Sequence, residues 1–178
     1  MIKFFKYKKG FTLIELLVVI SIIGLLSSIT LGSLSIARTS SRDIKRISDL
    51  RQIKIALELY YLDNGYYPAA GACAPDFNCY AYSYDSTSWN ALAVTLAPYI
   101  SSLPVDPLNT ACAPWNNGCY SYTYGNVGRV TYPNAYDLTA QLENPNSQYN
   151  CQSKSYKFYF DNRAWCPGYS PYLYEASP

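Results

Sequence analysis

The sequence of 178 residues is 49% apolar and only 15% charged, which fits one ordinary domain, or one domain with an appendage. It contains no histidine, and this excludes a Ser-His-Asp triad, a Cys-His dyad and any imidazole metal site. The formal net charge of +2 comes from Lys3, Lys6, Lys8 and Lys9, because the other residues carry ten basic and twelve acidic side chains. A nucleic-acid-binding surface is therefore not predicted.

A long uncharged segment follows the basic first ten residues. The 22 residues from Leu16 to Ala37 carry no charge, and as a helix rising about 1.5 Å per residue they match the ~30 Å hydrocarbon core of a bilayer. The preceding lysines favour a cytoplasmic amino terminus, so residues from Arg38 onward are expected outside the cytoplasm. The alternative is a cleaved secretory signal, since Ser35-Ile36-Ala37 has the form of a signal peptidase site. Against it, the apolar region exceeds the usual ~7–15 residues and Glu15 would be a costly acid there.

The junction between the basic leader and the apolar segment resembles a known processing signal. Residues Lys9-Gly10-Phe11-Thr12-Leu13-Ile14-Glu15-Leu16 resemble the type III signal of type IV pilins and type II secretion pseudopilins. The resemblance implies cleavage between Gly10 and Phe11 by a membrane aspartyl prepilin peptidase, followed by methylation of the new amino group on Phe11. It also implies an assembly role for Glu15, whose carboxylate would neutralise the amino terminus of an adjoining subunit. The alternative for Glu15 is a tolerated polar residue near the lipid headgroups.

The helix is predicted to continue beyond the apolar segment in amphipathic form. Apolar residues recur at steps of three or four, which places them on one face: Ile44, Ile47, Leu50, Ile53, Leu57 and Tyr60. The charged residues between them are expected to be solvated or to meet other subunits. Asp63-Asn64-Gly65 and Pro68 end the helix, which gives about 50 residues in all. The stretch from Leu57 to Pro68 resembles the helix exit of the major pseudopilin and of Gram-positive pilins, although many members have Pro where this sequence has Gly32.

The rest of the chain is punctuated by Pro, Gly and Asn, and its short alternating runs predict an antiparallel sheet packed on the helix. A short helix is predicted from Trp89 to Ile100, capped by Ser88, and Leu103-Pro104-Val105-Asp106-Pro107 closes it. This Leu-Pro-x-Asp-Pro stretch again resembles the major pseudopilin. Further strands are predicted from Ala135 to Leu142 and from Tyr156 to Phe160.

An internal repeat organises the cysteines of this outer part. Ala72-Cys73-Ala74-Pro75, then Cys79-Tyr80-Ala81-Tyr82-Ser83-Tyr84, recurs as Ala111-Cys112-Ala113-Pro114, then Cys119-Tyr120-Ser121-Tyr122-Thr123-Tyr124. Each copy predicts a cysteine-bounded loop leading into a strand with Tyr on one face and small residues on the other. Proximity favours Cys73–Cys79 and Cys112–Cys119 and leaves Cys151–Cys166, although six cysteines allow fifteen connectivities. There is no CxxC pair, so disulfides outside the cytoplasm are favoured over a metal or redox site.

No motif in the outer part carries catalytic or metal chemistry. Its acids are scattered, it has no EF-hand loop, and the calcium site of the major pseudopilin is not recognisable. No cofactor and no metal are therefore expected. The chain has 20 Tyr, 19 of them after residue 59, an aromatic choice suited to a wet β surface. Tyr-rich strands could bind sugars or surfaces by stacking, but packing is the more common use of an aromatic strand face.

The sequence thus predicts an α+β fold, with a long N-terminal α-helix packed on a C-terminal antiparallel sheet domain that has disulfide-closed loops. The expected organisation is a cleaved leader 1–10, a transmembrane and assembly half of the helix 11–37, an amphipathic half 38–64, and an extracytoplasmic domain 65–178. The expected function is a structural, non-enzymatic subunit of a type IV pilus-like filament, with the type II secretion major pseudopilin as the alternative. A secreted carbohydrate-binding or enzymatic module with an uncleaved anchor is a third hypothesis.

The resemblance also implies the partners of such a subunit. They are copies of itself in a helical filament, prepilin peptidase and the inner-membrane assembly machinery. The chain is expected in the cytoplasmic membrane before assembly and in an extracellular filament afterwards. No specific nucleic acid is expected among its partners.

Overall fold

The computed structural model describes residues 10–70, 80–126, 134–151 and 172–176. The chain divides into two compact units, Met1–Arg38 and Thr39–Pro178. One helix, α1, covers Leu13–Asn64 and contributes residues to both units. Its 52 residues confirm the predicted helix and its length.

The end of α1 follows from the backbone at Gly65. This residue has a φ of 76°, a conformation that costs a glycine little because it has no Cβ. The Gly65 N–H donates to the Tyr61 carbonyl at 2.7 Å, which satisfies one of the last carbonyls of the helix. Pro68 follows and cannot continue the helix. The sequence therefore predicted this terminus correctly.

Within the described residues of the second unit, four short strands form an antiparallel meander in the spatial order β1-β2-β3-β4. The strands are β1 Tyr80–Tyr82, β2 Tyr122–Gly125, β3 Asp137–Gln141 and β4 Leu173–Glu175. The second helix, α2, covers Ser86–Leu96 and lies between β1 and β2 in the chain. The α+β class with an N-terminal helix and an antiparallel sheet is confirmed. The strand predicted from Ala135 to Leu142 is present as β3, whereas the one predicted from Tyr156 to Phe160 lies outside the described residues.

The hydrophobic core combines the second half of α1, α2 and one face of the sheet. Its largest apolar members include Ile47, Leu50, Ile53, Leu57, Trp89, Leu92, Leu96, Tyr122, Tyr124, Tyr136, Leu138 and Leu142. Ile44 was wrongly predicted to join this face, since it is 65% exposed. At about 100° per residue it lies roughly 120° around the helix from Leu50. Tyr60 packs at the margin of the core and is half-buried.

The start of α2 differs from the sequence prediction. Asp85, not Ser88, is the N-cap, and its carboxylate accepts hydrogen bonds from the Thr87 and Ser88 N–H groups. The helix therefore begins at Ser86 and ends at Leu96, earlier than the predicted range of 89–100. A carboxylate offers two acceptor oxygens to the unpaired N–H groups of the first turn, which favours Asp85 as the cap.

The two copies of the repeat form neighbouring strands whose Tyr side chains point to opposite faces of the sheet. The register pairs Ala81 with Tyr124 on the core face, and Tyr82 with Thr123 on the other face, called here the outer face. Tyr122 and Tyr124 are fully buried in the core, so the predicted wet β surface is wrong for this copy. Tyr80 and Tyr82, in contrast, are partly exposed.

Candidate functional site

The predicted processing signal lies at the start of α1. Gly10, Phe11 and Thr12 precede the helix, Gly10 is exposed and the Phe11 side chain is 78% exposed. A Cβ added to Gly10 would meet nothing within 4 Å, so no neighbouring atom crowds the Gly10–Phe11 bond. An accessible, non-helical peptide bond is what a protease cleft needs. The geometry is compatible with the predicted cleavage, which itself stays a prediction.

Glu15 has a partner in its own chain. Its Oε2 accepts a hydrogen bond from the Thr12 N–H at 2.8 Å and another from the Thr12 hydroxyl at 2.7 Å. The Glu15 N–H in turn donates to Thr12 Oγ1 at 3.3 Å. This reciprocal pattern is a capping box, in which the N-cap residue and the third helical residue satisfy each other's N–H groups. The carboxylate is thereby held at the first turn of α1, beside Phe11.

The apolar side chains of residues 13–26 have no core of their own. Most are more than half exposed within the chain, as shown by Leu13 at 87%, Ile14 at 70% and Leu25 at 66%. An exposed apolar surface of this size marks a site of contact with lipid or with another protein. Among the described residues, no helix reaches the length and apolarity needed to cross a membrane. The span from Leu16 to Ala37 stays a prediction; its sequence contains Ser, Thr and Gly between positions 27 and 33.

The second half of α1 carries a buried arginine. The side chain of Arg46 is fully buried, and its guanidinium donates to both Asp106 oxygens, at 2.7 and 3.2 Å. It also donates to Asp43 at 2.8 Å and to Glu143 at 2.6 Å, and it lies 4.8 Å from the centroid of the Tyr120 ring. Burial alone would lower the pKa of Arg46, but Asp106 and Glu143 raise it above its ordinary value. The guanidinium therefore stays charged and joins α1 to two distant loops.

The acids around Arg46 also hold the backbone of those loops. Asp43 accepts from the N–H groups of Glu143 and Asn144, both at 2.8 Å. Glu143 forms a second ion pair with Arg42, which donates from Nε at 2.6 Å. Burial raises the pKa of Glu143, but the hydrogen bonds from Arg42 and Arg46 outweigh it, so the net pKa is lowered. Asp106 accepts hydrogen bonds from the N–H groups of Leu108 and Asn109.

A further acid on α1 connects the helix to the sheet. Asp49 accepts a hydrogen bond from the Tyr122 hydroxyl at 2.8 Å and pairs with Lys45 at 2.9 Å. Burial and the bond to Asp49 raise the pKa of Tyr122. The prediction that the charged residues of this helix are solvated or meet other subunits is therefore wrong for Asp43, Arg46 and Asp49, because their partners lie inside the same fold.

The second cysteine loop is closed by a disulfide between Cys112 and Cys119, with a Cα separation of 5.5 Å. This is the pairing that the repeat favours. Cys151 is also disulfide-bonded. Its favoured partner, Cys166, and the favoured pair Cys73–Cys79 lie outside the described residues.

The described part of the chain contains no candidate metal-binding site. No group of three or more Cys, Asp or Glu side chains there could hold an ion. The four acids that do converge, Asp43, Asp49, Asp106 and Glu143, have Arg46, Arg42 and Lys45 as their positive partners. The calcium that the family resemblance implies for a major pseudopilin thus finds no matching ligand set among these residues.

Pilin-like proteins are defined by three features found here. A leader junction precedes a long helix, the helix is apolar in its first half and amphipathic in its second, and a small antiparallel sheet follows. Residues 5–31 match the family model of the prokaryotic N-terminal methylation motif. Three similar proteins are all named type II secretion system core protein G. That of Escherichia coli K12 is 32% identical over 137 residues, which are 74% of this chain and 79% of the relative.

The other two relatives come from Klebsiella pneumoniae and Vibrio cholerae. The first is 34% identical over 56% of this chain and 69% of the relative, and the second is 29% identical over 68% and 75%. No solved structure matches the chain significantly. The chain belongs to the type IV pilin and type II secretion pseudopilin family, in which core protein G is a pseudopilin.

Two features of these sites were missed by sequence reasoning. The capping box could have been found, because Thr12-x-x-Glu15 before an apolar run is its sequence pattern. The burial of Arg46 had a weaker signal: Asp43, Arg46 and Asp49 recur every three residues, in phase with Leu50 and Ile53. Their partners, Asp106 and Glu143, are too far away in sequence for any local pattern to show the pairing.

Proposed function

We propose that this chain is the major pseudopilin-type subunit of a type II secretion system. The observation that carries the proposal is the similarity to Escherichia coli core protein G, at 32% identity over 79% of that protein. It favours the pseudopilin expected as the alternative over the type IV pilus subunit expected first. In this role the chain assembles with copies of itself and catalyses no reaction.

Maturation is the first step of the proposed function. Prepilin peptidase cuts between Gly10 and Phe11 and the new amino group of Phe11 is methylated. The match to the methylation motif and the exposed, non-helical junction support this step. Before assembly the chain resides in the cytoplasmic membrane, where lipid covers the exposed apolar side chains of residues 13–26.

Glu15 is proposed to guide assembly. Its carboxylate neutralises the amino terminus of Phe11 on an adjoining copy, because a positive amine and a negative carboxylate attract strongly where little water is present. The capping box supports this role, since Thr12 bonds only to Oε2 and so fixes the carboxylate while Oε1 can accept another donor. The inner-membrane assembly machinery is the expected site of this encounter.

The assembly role is tested by Glu15→Val in the full chain. The variant should insert and fold normally but yield few filaments, because it loses the charge partner of Phe11. Ser21→Val is the matched control, since Ser21 is also a polar residue of the apolar half and bonds only to the Leu17 carbonyl. Filament yield is measured by shearing and quantitative immunoblotting. Normal yield from Glu15→Val, or equal loss from both variants, would contradict the role.

The choice between secretion and pilus is tested by deleting the gene and restoring it. A pseudopilin predicts loss of the secreted substrates of the type II system, recovered with the wild-type gene, while surface pili persist. Loss of surface pili with intact secretion would overturn the proposal in favour of a type IV pilus subunit.

A further inference from the structure

Among the residues that the structure describes, four aromatic side chains cluster on the outer face of the sheet, away from the core. They are Tyr80 and Tyr82 of β1, Tyr84 just beyond it, and Trp115 of the disulfide-closed loop, and together they are called the aromatic cluster. Tyr82 is central, with ring centroids 5.2 Å from Tyr84 and 5.8 Å from Trp115. The Tyr80 and Trp115 rings are 5.0 Å apart. All four residues are partly exposed.

The hydrophobic core does not require these rings. The core is built on the opposite face, where Ala81 lies between Tyr80 and Tyr82 and is fully buried. The second copy of the repeat turns its tyrosines, Tyr122 and Tyr124, into that core. The first copy therefore keeps its large aromatic residues partly exposed at the surface of the sheet.

The cluster is held rigidly. The Tyr80 ring lies over Gly125, where an added Cβ would clash with the ring, and its hydroxyl donates to Asp137 at 3.1 Å. The loop that carries Trp115 is closed by its disulfide and tied to β3 by Gln141. The Gln141 amide donates to the Pro114 and Asn116 carbonyls at 2.7 and 2.9 Å, and its oxygen accepts from the Gly118 N–H at 2.7 Å. Rings fixed before binding lose little entropy when a ligand arrives.

The charge around the cluster selects the chemistry of the ligand. Beyond α1, the described residues include no Lys or Arg, so none of them offers a cation to a phosphate, sulfate or uronate group at this surface. Burial raises the pKa of Tyr82 to about 12, and burial also raises the pKa of Tyr84. Both phenols are therefore neutral at physiological pH. The exposed amides of Asn116 and Asn117 adjoin Trp115 in the same loop.

We propose that the aromatic cluster of Tyr80, Tyr82, Tyr84 and Trp115 is a binding site for a neutral polysaccharide. Sugar rings present C–H faces, which stack on aromatic rings, and hydroxyl edges, which bond to phenols and amides. A neutral polymer satisfies both kinds of group and needs no cation. The site is independent of the proposed role in secretion, because it lies in the sheet domain and not in the α1 segment that governs assembly.

Binding is tested with the full chain in lauryldimethylamine oxide, a detergent without a sugar headgroup. The probes are maltohexaose, cellohexaose and chitohexaose, titrated by calorimetry. At least one should bind saturably with a Kd on the order of 1 mM or tighter. Trp115→Ala should weaken that binding about tenfold or more. Tyr84→Ala should also weaken the binding. Tyr84 lies beyond the end of β1 and stacks on Tyr82, so this variant should leave the sheet intact and tests the site even if Trp115→Ala fails to fold.

The matched control is Tyr66→Ala, which removes a partly exposed Tyr near the end of α1 that packs edge-on against Tyr60. It should leave the affinity for the sugar unchanged. Absence of saturable binding with all three probes would overturn the proposal. So would equal losses in Tyr66→Ala and Tyr84→Ala, or a salt-sensitive preference for an anionic polymer such as alginate over the neutral probes.

Discussion

Replacing Arg46 by methionine should destabilise the second unit far more than any other removal of a single positive charge from α1. Methionine has a similar length but no charge, so Asp106, Asp43 and Glu143 lose their shared partner. The side chains of Arg46 and Asp106 are both fully buried. Asp106 would then be a buried carboxyl group without the guanidinium that it faces in the wild type.

The size of the effect follows from this burial. Breaking a buried ion pair by removing one partner costs about 3–5 kcal/mol, because the remaining charge stays desolvated. Four hydrogen bonds from one guanidinium place Arg46→Met in this range. Lys45→Ala is the matched control, since the neighbouring Lys45 is 55% exposed and pairs with Asp49 in an i,i+4 arrangement. Its loss should cost only about 0.3–0.5 kcal/mol.

The assay is thermal unfolding of the full chain in detergent, followed by near-ultraviolet circular dichroism of the tyrosines. Arg46→Met should lower Tm by roughly 10 °C or more, and Lys45→Ala by only about 1–2 °C. Adding Asp106→Asn to Arg46→Met should recover part of the loss, because it removes the unpaired carboxylate. Equal shifts for Arg46→Met and Lys45→Ala, or no recovery in the double variant, would refute the reasoning.

Mass spectrometry of the mature protein should find a methylated Phe11 at the amino terminus, and an intact Met1 or a start at Arg38 would contradict the proposed cleavage. Acid should weaken the fold through Glu143: its lowered pKa means that its stabilising effect is complete above about pH 4.5, the ordinary value, and is lost as the pH falls through the lower folded value. Unfolding as a function of pH should show a shallower acid limb in Glu143→Gln. A reductant should lower Tm by several degrees, if each disulfide contributes about 2 kcal/mol, while a chelator leaves it nearly unchanged. The reverse sensitivity would indicate a calcium-stabilised domain.

Periodicity was sufficient for the long helix and most of its buried face. The helical repeat predicted the buried positions Ile47, Leu50, Ile53 and Leu57, and Gly65 predicted the end of the helix. The apolar repeat and the glycine are both local features of the sequence. The repeat likewise predicted β1, β2 and the loop closed by Cys112 and Cys119.

The sequence could not reveal which charges are buried, because burial of a charge depends on partners from other parts of the chain. Arg46 pairs with Asp106 and Glu143, sixty and ninety-seven residues away. The direction of the two Tyr-rich strands was equally hidden, since alternation shows that Tyr side chains share a face but not which face. The register of β1 with β2 decides it.

That register has a consequence for how faithfully the sheet can form. Two nearly identical strand sequences pair one step out of phase, so each large side chain lies across from a small one: Tyr80 faces Gly125, and Tyr82 faces Thr123. A slip of one residue would set tyrosine against tyrosine and turn the inner rings of β2 towards the wrong face. The Tyr122 and Tyr124 hydroxyls, which bond to Asp49 and to the Pro68 carbonyl, would then lose their partners. The hydrogen bonds that Tyr122 and Tyr124 make on the core face of the sheet therefore favour the correct register, although the two strand sequences are nearly identical.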